Sequence, residues 1–320
     1  MKRKVVKHGS ATLTISLPAK WAKKFNIKQG DELEIAEENK KLVISCPGCF
    51  EPIKITNIDL DEYGLVGGRS IGALFKGGCD AIRINYTDPA KFSIVEKNLS
   101  ELIGFEIMQQ SSNSCLIKEV SGLTDSGELD SMIKRTFMML ISISEDFVEN
   151  ISKGNKEVLM NLVNRDTAIN KFANFSRRLL NKKGTSKSTD VPMIYYIIEE
   201  LENLGDEFKN AAKYLAENGI KITNPDTLKV TKDIDQLLRD FFNLYFKFSS
   251  KGANKLMEDR NKIVVELDAL FNKVKTSKCV RVLDHLSRMV HIIINMQGPL
   301  LTMKLPEVCS EKASNWAGQF

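Results

Sequence analysis

The chain has 320 residues, of which 42% are hydrophobic and 27% are charged, and its formal net charge is +5. This length and composition indicate a globular protein of two or more domains. No apolar run approaches the roughly 20 residues that span a bilayer, and the basic N-terminus lacks the apolar segment of a signal peptide. We therefore expect a cytoplasmic protein without membrane insertion.

Positive charge is concentrated at the N-terminus. The first 30 residues contain eight lysine or arginine side chains, and the first acidic residue is Asp31. The whole chain has 46 basic and 41 acidic residues, so the remainder carries 38 basic and 41 acidic residues, a net charge of −3. A cationic surface confined to one end is typical of a module that binds nucleic acid.

The first 46 residues are predicted to form short strands and one helix. Apolar residues alternate at Leu13, Ile15 and Leu17, and the turn-forming residues 8–10 separate this strand from another around Val6. Pro18 suits the start of a helix that continues to Phe25. Two further strands are predicted at Glu32–Ala36 and Lys41–Ser45. So short a unit buries little apolar surface alone, and exchange of strands with a second copy would bury more.

Several positions in this segment resemble the swapped-hairpin DNA-binding domain of the AbrB family: Val5, His8-Gly9-Ser10, Thr14-Ile15-Ser16-Leu17-Pro18-Ala19, Trp21, Ile27, Gly30-Asp31 and Leu33. The resemblance implies a dimeric barrel in which two chains exchange N-terminal hairpins, with double-stranded DNA as its partner. Antidote members of the family usually have arginine near the turn, where this chain has Lys4 and Lys7. The candidate DNA-binding residues are Lys2, Arg3, Lys4, Lys7, Ser10, Thr12, Lys20, Lys23 and Lys24.

Residues 47–124 are predicted to form a small α/β layer. Glycine-rich turns separate short apolar segments here, which is typical of alternating strands and helices. The predicted elements are a strand at Ile53–Ile58, a helix at Gly68–Phe75, a strand at Ala81–Tyr86, a helix at Pro89–Leu102, and strands at Phe105–Gln110 and Ser114–Val120.

Residues 125–220 and 221–306 are each predicted to contain three helices, followed by a tail at 307–320. Apolar residues recur every three or four positions from Leu129 to Ile151, which predicts one long half-buried helix. Five further helices are predicted at Asn155–Asn181, Val191–Asn218, Pro225–Ser250, Asn254–Thr276 and Cys279–Met303. Six aromatic residues are predicted to lie in the core: Phe172, Phe175, Phe241, Phe242, Tyr245 and Phe248.

Acidic residues occur near the predicted interior of this helical part. Asp166 has the inward spacing of the second helix, and Asn170 lies one turn beyond it. On the third helix Glu199, Glu202 and Asp206 share a face, with Gly205 allowing close approach of a neighbour. Buried carboxylates are unfavourable without a cation, so we predict either a bound metal ion or internal lysine and arginine partners, with a solvated acidic flank as the alternative.

Leu201-Glu202-Asn203-Leu204-Gly205-Asp206 and Asn164-Arg165-Asp166-Thr167-Ala168-Ile169-Asn170 resemble paired motifs of the PhoU family of phosphate-uptake regulators. The resemblance implies two three-helix repeats, a role in phosphate homeostasis, and binding of iron, zinc, magnesium or nickel. Archaeal forms commonly carry an AbrB-like N-terminal domain. The candidate metal ligands are Asp166, Asn170, Glu199, Glu202, Asp206 and His291.

This sequence departs from the PhoU pattern at several positions. Asn170 stands where the first motif usually has an acid, and Ser287 and His291 replace the second repeat's acids. The alternative to a metal ligand is that His291 packs in the core of the helical part. The chain has three histidines and no recognisable Ser–His–Asp or Cys–His set, so we expect no enzymatic activity.

The predicted fold class is multidomain α+β, with an AbrB-like swapped-hairpin barrel, a small α/β layer and a PhoU-like pair of three-helix bundles. The predicted function is transcriptional regulation of phosphate uptake. Two alternatives remain. The helical part could regulate a phosphate transporter or sensor kinase by protein contact, with the barrel only dimerising, or the α/β layer could sense a ligand on a helical scaffold.

Overall fold

The computed structural model describes residues 1–38, 41–46, 53–120, 127–185, 187–274 and 276–317. The chain divides into two compact units, the N-terminal unit Met1–Lys54 and the body Ile55–Phe320. None of the helices within the described ranges is long and apolar enough to cross a membrane.

The N-terminal unit contains two β-hairpins and one short helix. Strand β1 (Val6–His8) pairs antiparallel with β2 (Thr12–Thr14), and β3 (Glu34–Glu38) pairs antiparallel with β4 (Lys41–Ser45). Helix α1 (Ala19–Lys24) begins directly after Pro18, as predicted. In the described part of one chain the hairpins form separate two-stranded sheets. Closure into a barrel with a second chain therefore stays a prediction.

The body begins with a four-stranded sheet in the order β5–β6–β8–β7. Strands β5 and β6 are parallel, and the other two pairings are antiparallel. This layer confirms the predicted element types. Its strands are β5 (Ile55–Asp59), β6 (Ala81–Asn85), β7 (Phe105–Gln110) and β8 (Ser114–Glu119), and its helices are α2 (Leu60–Tyr63), α3 (Gly67–Lys76) and α4 (Phe92–Leu99).

Seven helices are described in the remainder of the body. The apolar residues that predicted the first of these helices are buried, from Ile133 through Phe137 and Phe147 to Ile151. The seven helices are α5 (Glu128–Asn150), α6 (Lys156–Lys183), α7 (Val191–Asn218), α8 (Pro225–Phe246), α9 (Ser250–Lys273), α10 (Ser277–Asn295) and α11 (Gln297–Ala317).

Several predicted helix boundaries were wrong. The helix predicted at Pro225–Ser250 ends at Phe246, and the helix predicted to begin at Asn254 begins at Ser250, because the Ser249 side chain accepts a hydrogen bond from the Gly252 N–H and caps α9. The helix predicted at Cys279–Met303 is two helices, because α10 ends at Asn295 and α11 begins at Gln297. Pro299 lies in the first turn of α11, where its missing N–H costs little.

Helix α6 belongs to two hydrophobic cores. Its residues Ala173 and Leu180 pack among the helices, whereas Phe175 and Leu179 pack with the sheet residues of the α/β layer. Every residue from 173 to 180 is buried. The six aromatic residues predicted to be core are buried or pack against a core, which confirms that prediction.

Candidate functional site

The nine candidate DNA-binding residues are all exposed. In the first hairpin Lys7 lies opposite Leu13, and the Thr14 hydroxyl donates a hydrogen bond to the Val6 carbonyl at 3.1 Å. Gly9 has φ +71° in the connecting turn, a conformation that glycine adopts without strain. The hairpin therefore presents Ser10 and Thr12 at its tip and Lys7 on its strand.

Helix α1 adds a second group of cations. Its apolar side packs internally, with the rings of Trp21 and Phe25 at 5.6 Å between centroids. Lys20, Lys23 and Lys24 are exposed, and the Lys24 ammonium lies 4.9 Å from the Phe25 ring centre. Mobile exposed ammonium groups of this kind neutralise phosphates with little geometric selectivity.

The N-terminal unit lacks a core of its own within its described residues. No side chain described in residues 1–46 is buried. Seven large apolar side chains are instead between 41% and 70% exposed: Val5, Val6, Leu13, Ile15, Ile35, Leu42 and Val43. So much exposed aliphatic surface on two short hairpins is typical of a unit that associates with another chain.

The predicted acidic cluster contains internal cations. Asp166 on α6 is 6% exposed, as its spacing predicted, and its Oδ2 accepts a hydrogen bond from Lys209 Nζ at 2.8 Å. Lys209 also forms an ion pair with Asp206, and Asn170 Nδ2 lies 3.3 Å from Asp166 Oδ2. Lys209 therefore bridges the two aspartates from its position on α7.

A second cation, Arg177, occupies the other part of the cluster. Its side chain is 1% exposed, and its guanidinium forms ion pairs with both Glu199 and Glu202. The same group donates to Asn174 Oδ1 at 3.3 Å. Each of the four carboxylates predicted as metal ligands thus has a lysine or arginine partner. This pairing is the arrangement that the sequence left as the alternative to a metal ion.

The surroundings shift the pKa values of several groups. Burial raises the pKa of Asp166, and the hydrogen bond from Lys209 opposes that rise. Burial disfavours the charged form of Lys209, but the two aspartates together outweigh it and raise the pKa of the ammonium. The directions are compatible because Asp166 is the more buried partner and Lys209 has two acceptors. Burial also raises the pKa of Glu101, which hydrogen-bonds Asn170.

The donor set does not form a metal centre in the observed conformation. Among the described residues, no group of three or more histidine, cysteine or acidic side chains is arranged to hold a metal ion. The ammonium of Lys209 and the guanidinium of Arg177 lie where a metal ion would need to contact the carboxylates. Metal binding at Asp166, Asn170, Glu199, Glu202 and Asp206 remains a prediction, and the ion pairs favour the alternative.

His291 is exposed, so the interpretation as a packed core histidine was wrong. Its Nδ1 lies 2.7 Å from the Ser287 carbonyl oxygen, one turn earlier on α10. The buried histidine of this helix is His285, whose Nδ1 is 2.7 Å from Glu207 Oε2 on α7. The signal for His285 was its place in the apolar stripe between Val282 and Leu286.

Arg178 is a structural residue that the sequence reasoning missed. Its side chain is fully buried and donates hydrogen bonds to the Phe75 and Cys79 carbonyls at 2.9 and 2.7 Å. It also donates to Glu119 at 2.8 Å, and its Cζ lies 4.9 and 5.0 Å from the centres of the Phe75 and Phe105 rings. The available signal was the helical spacing that places Arg178 on one face with Phe175 and next to Leu179, because a buried arginine requires several acceptors.

Comparison with known proteins gives two similarities. A model of the MazE bacterial antitoxin family, described as antidote-toxin recognition, matches residues 6–55. The fold is similar to the phosphate transport system regulatory protein PhoU from Streptococcus pneumoniae, with 18% identity and a TM-score of 0.45, over 54% of this chain and 92% of that chain. No curated protein matches the sequence.

The family match confirms the predicted antitoxin-like, AbrB-like character of the N-terminal unit. The predicted combination of such a unit with a PhoU-like helical part is confirmed as a similarity in sequence and in fold.

Proposed function

We propose that this protein is a dimeric DNA-binding transcriptional regulator whose helical body senses or transmits phosphate status. The exposed, acid-free cationic surface of residues 1–30 is the observation that carries the proposal. The family match over residues 6–55 supports it, because AbrB-like domains imply DNA binding and dimerisation.

The cations divide into two groups, one at β1 and one on α1. Lys2, Arg3, Lys4 and Lys7 precede or lie on β1, and Lys20, Lys23 and Lys24 lie on α1. Flexible lysines contact phosphates rather than base edges, so they supply affinity and position more than sequence selectivity. A dimer would present both groups twice and would double the number of phosphate contacts.

The swapped dimer is proposed from the exposed aliphatic residues of the hairpins. Leu13 and Ile15 alternate with polar residues along one hairpin, and Ile35 and Leu42 lie on the same face of the other. Exchange of hairpins between two chains would cover these side chains and close the separate sheets into a barrel. The second chain thereby provides the core that the described residues of one chain lack.

The link to phosphate is supported by the motif resemblance at 164–170 and 201–206. The body is proposed to change the affinity of the N-terminal unit for DNA in response to phosphate supply, through a phosphate, a metal ion or a protein partner. The rival function, contact with a phosphate transporter or sensor kinase, uses the same body and needs no DNA. We also expect no enzymatic activity.

DNA affinity measured across a salt series separates these two functions. Fluorescence anisotropy with a labelled duplex of mixed sequence should give affinity that falls steeply with salt, with a log–log slope of about −0.9 for each phosphate contacted. The variant Lys4→Ala with Lys7→Ala should bind more weakly and with a shallower slope. The matched control, Lys232→Ala with Lys278→Ala, removes two exposed lysines from the body and should behave as the wild type.

Absence of binding by the wild type at low salt would reject the DNA-binding function and favour the adaptor. Equal slopes for the two double variants would reject Lys4 and Lys7 as phosphate contacts. Genome-wide mapping of bound DNA with and without phosphate then tests the link to phosphate independently of DNA binding itself.

A further inference from the structure

Lys209 is the cation that contacts the buried carboxylate of Asp166. It reaches from α7 to α6 and contacts both Asp166 and Asp206, and its side chain is 27% exposed. Asp166 has an 8% exposed side chain, so it has little access to water for charge compensation. The ammonium is therefore the main compensating charge for the buried carboxylate.

The site retains acceptors that Lys209 does not satisfy. Asp166 Oδ1 and Asn170 Oδ1 are buried, and no donor among the described residues bonds to either atom. Gly205 brings the α7 backbone against this point, since a Cβ placed at Gly205 would lie 3.5 Å from Asp166 Oδ1. Buried oxygens without donors are energetically unfavourable, and a small cation is one group that satisfies several of them together.

We propose that Lys209 is a built-in counter-ion that occupies a latent site for a hard divalent cation. The ligands of that site are the carboxylates of Asp166 and Asp206 and the amide oxygen of Asn170. With Lys209 in place the site excludes metal ions, so the wild-type body folds without metal. Removal of the ammonium leaves three oxygen donors on adjacent helices, a set that suits Mn²⁺ or Mg²⁺ better than softer metals.

The ion pairs of the four predicted acidic ligands explain why none of them is free to bind a metal ion. Arg177 forms ion pairs with Glu199 and Glu202, which lie about two turns and one turn before Asp206 on α7. Neither glutamate is therefore available to complete a metal site. Asp166, Asp206 and the Asn170 amide remain, beside the Glu101 carboxylate that hydrogen-bonds Asn170, and this set does not displace an ammonium held by both aspartates. The inference concerns the body alone and does not depend on DNA binding.

Isothermal titration with Mn²⁺ alone tests the proposal on the full-length protein. The wild type and Lys209→Arg should show no saturable Mn²⁺ binding, because both keep the positive charge. Lys209→Met, which keeps the length and removes the charge, should bind one Mn²⁺ per chain, with affinity higher by a factor on the order of ten or more. Adding Asp206→Asn to Lys209→Met should abolish that gain.

Three results would overturn the proposal: stoichiometric Mn²⁺ bound by the wild type, a folded Lys209→Met variant without Mn²⁺ binding, or binding by Lys209→Met that survives Asp206→Asn. If Lys209→Met does not fold in buffer, its circular dichroism is measured during refolding with and without Mn²⁺. Recovery of helical signal only with Mn²⁺ supports the latent site, because a ligand that binds the native state stabilises it. No recovery with Mn²⁺ rejects it.

Discussion

Arg178 on α6 donates a hydrogen bond to Glu119 on β8 at 2.8 Å, and this contact links the helical part of the body to its sheet. The same guanidinium satisfies the carbonyls of Phe75 and Cys79 at the end of α3. One fully buried side chain thus bonds two different elements of the α/β layer to one helix. Loss of the guanidinium would leave the two carbonyls without this donor and Glu119 with Lys182 as its cationic partner.

Arg178→Met is expected to destabilise the body strongly. Each buried acceptor that loses its donor costs about 1–3 kcal/mol, whereas Glu119 keeps its ion pair with Lys182. Urea denaturation followed by circular dichroism measures the change. Arg281→Met is the control, since Arg281 is exposed and stacks over Tyr214 at 5.3 Å, a contact worth about 0.5–1 kcal/mol. Equal effects of the two substitutions would contradict the anchoring role of Arg178.

Gly205→Ala is expected to destabilise the packing of α6 against α7. An added Cβ would lie 2.9 Å from Ile169 Cδ1 and 3.3 Å from its Cγ2, so the buried Ile169 side chain must move. Overpacking of this kind costs about 1–3 kcal/mol. Gly72→Ala in α3 meets no atom within 4 Å and should stabilise the body by about 0.5–1 kcal/mol through helix propensity. Thermal melts of both variants should therefore shift in opposite directions.

Leu13→Asp is expected to break the proposed dimer. Leu13 is 70% exposed in one chain, and a carboxylate there would be desolvated if a second chain covered it. Light scattering coupled to size exclusion should show the mass falling from dimer to monomer, with DNA affinity lost in parallel. Leu65→Asp changes a fully exposed leucine of the body and should leave the mass unaltered. If the Leu13→Asp protein is still a dimer, Leu13 does not lie in the dimer interface.

Cys115 is expected to resist alkylation in the folded protein. Burial raises its pKa from 9.0 to about 11, so the neutral thiol persists through mildly alkaline conditions. A folded pKa above the unfolded value means that this group stabilises the fold fully below pH 9.0, and the contribution disappears as pH rises through about 11. Peptide mass spectrometry after iodoacetamide treatment at mildly alkaline pH should detect modified Cys279, which is exposed, but unmodified Cys115. Both cysteines should react in urea.

Much of the fold follows from local patterns in the sequence. The α5 stripe, the turn at Gly9 and the strands of the α/β layer depend on periodicity and turn chemistry, which act over a few residues. The break at Met296 was missed because the apolar pattern continues from α10 into α11. His291 was misplaced because a motif correspondence between repeats assigned its position, whereas helix phase places His285 inside.

The partners of the acidic cluster could not be read from the sequence. Spacing correctly placed Asp166 inward and identified Gly205 as a point of close approach. It could not identify Lys209 as the partner of Asp166, because the two residues are 43 positions apart and meet only after α6 and α7 pack. The same limit applies to Arg178 and Glu119, which are 59 positions apart.

Because the described residues of the N-terminal unit form no core, the state of this unit depends on the concentration of the protein. If a second copy covers the aliphatic residues of the hairpins, scarce chains keep a folded body and an N-terminal unit that cannot hold its shape. As expression rises, encounters between chains complete that unit and switch on DNA binding cooperatively. The concentration of the protein would then control its DNA binding together with whatever the body detects. Expression from its own promoter would be part of the regulation.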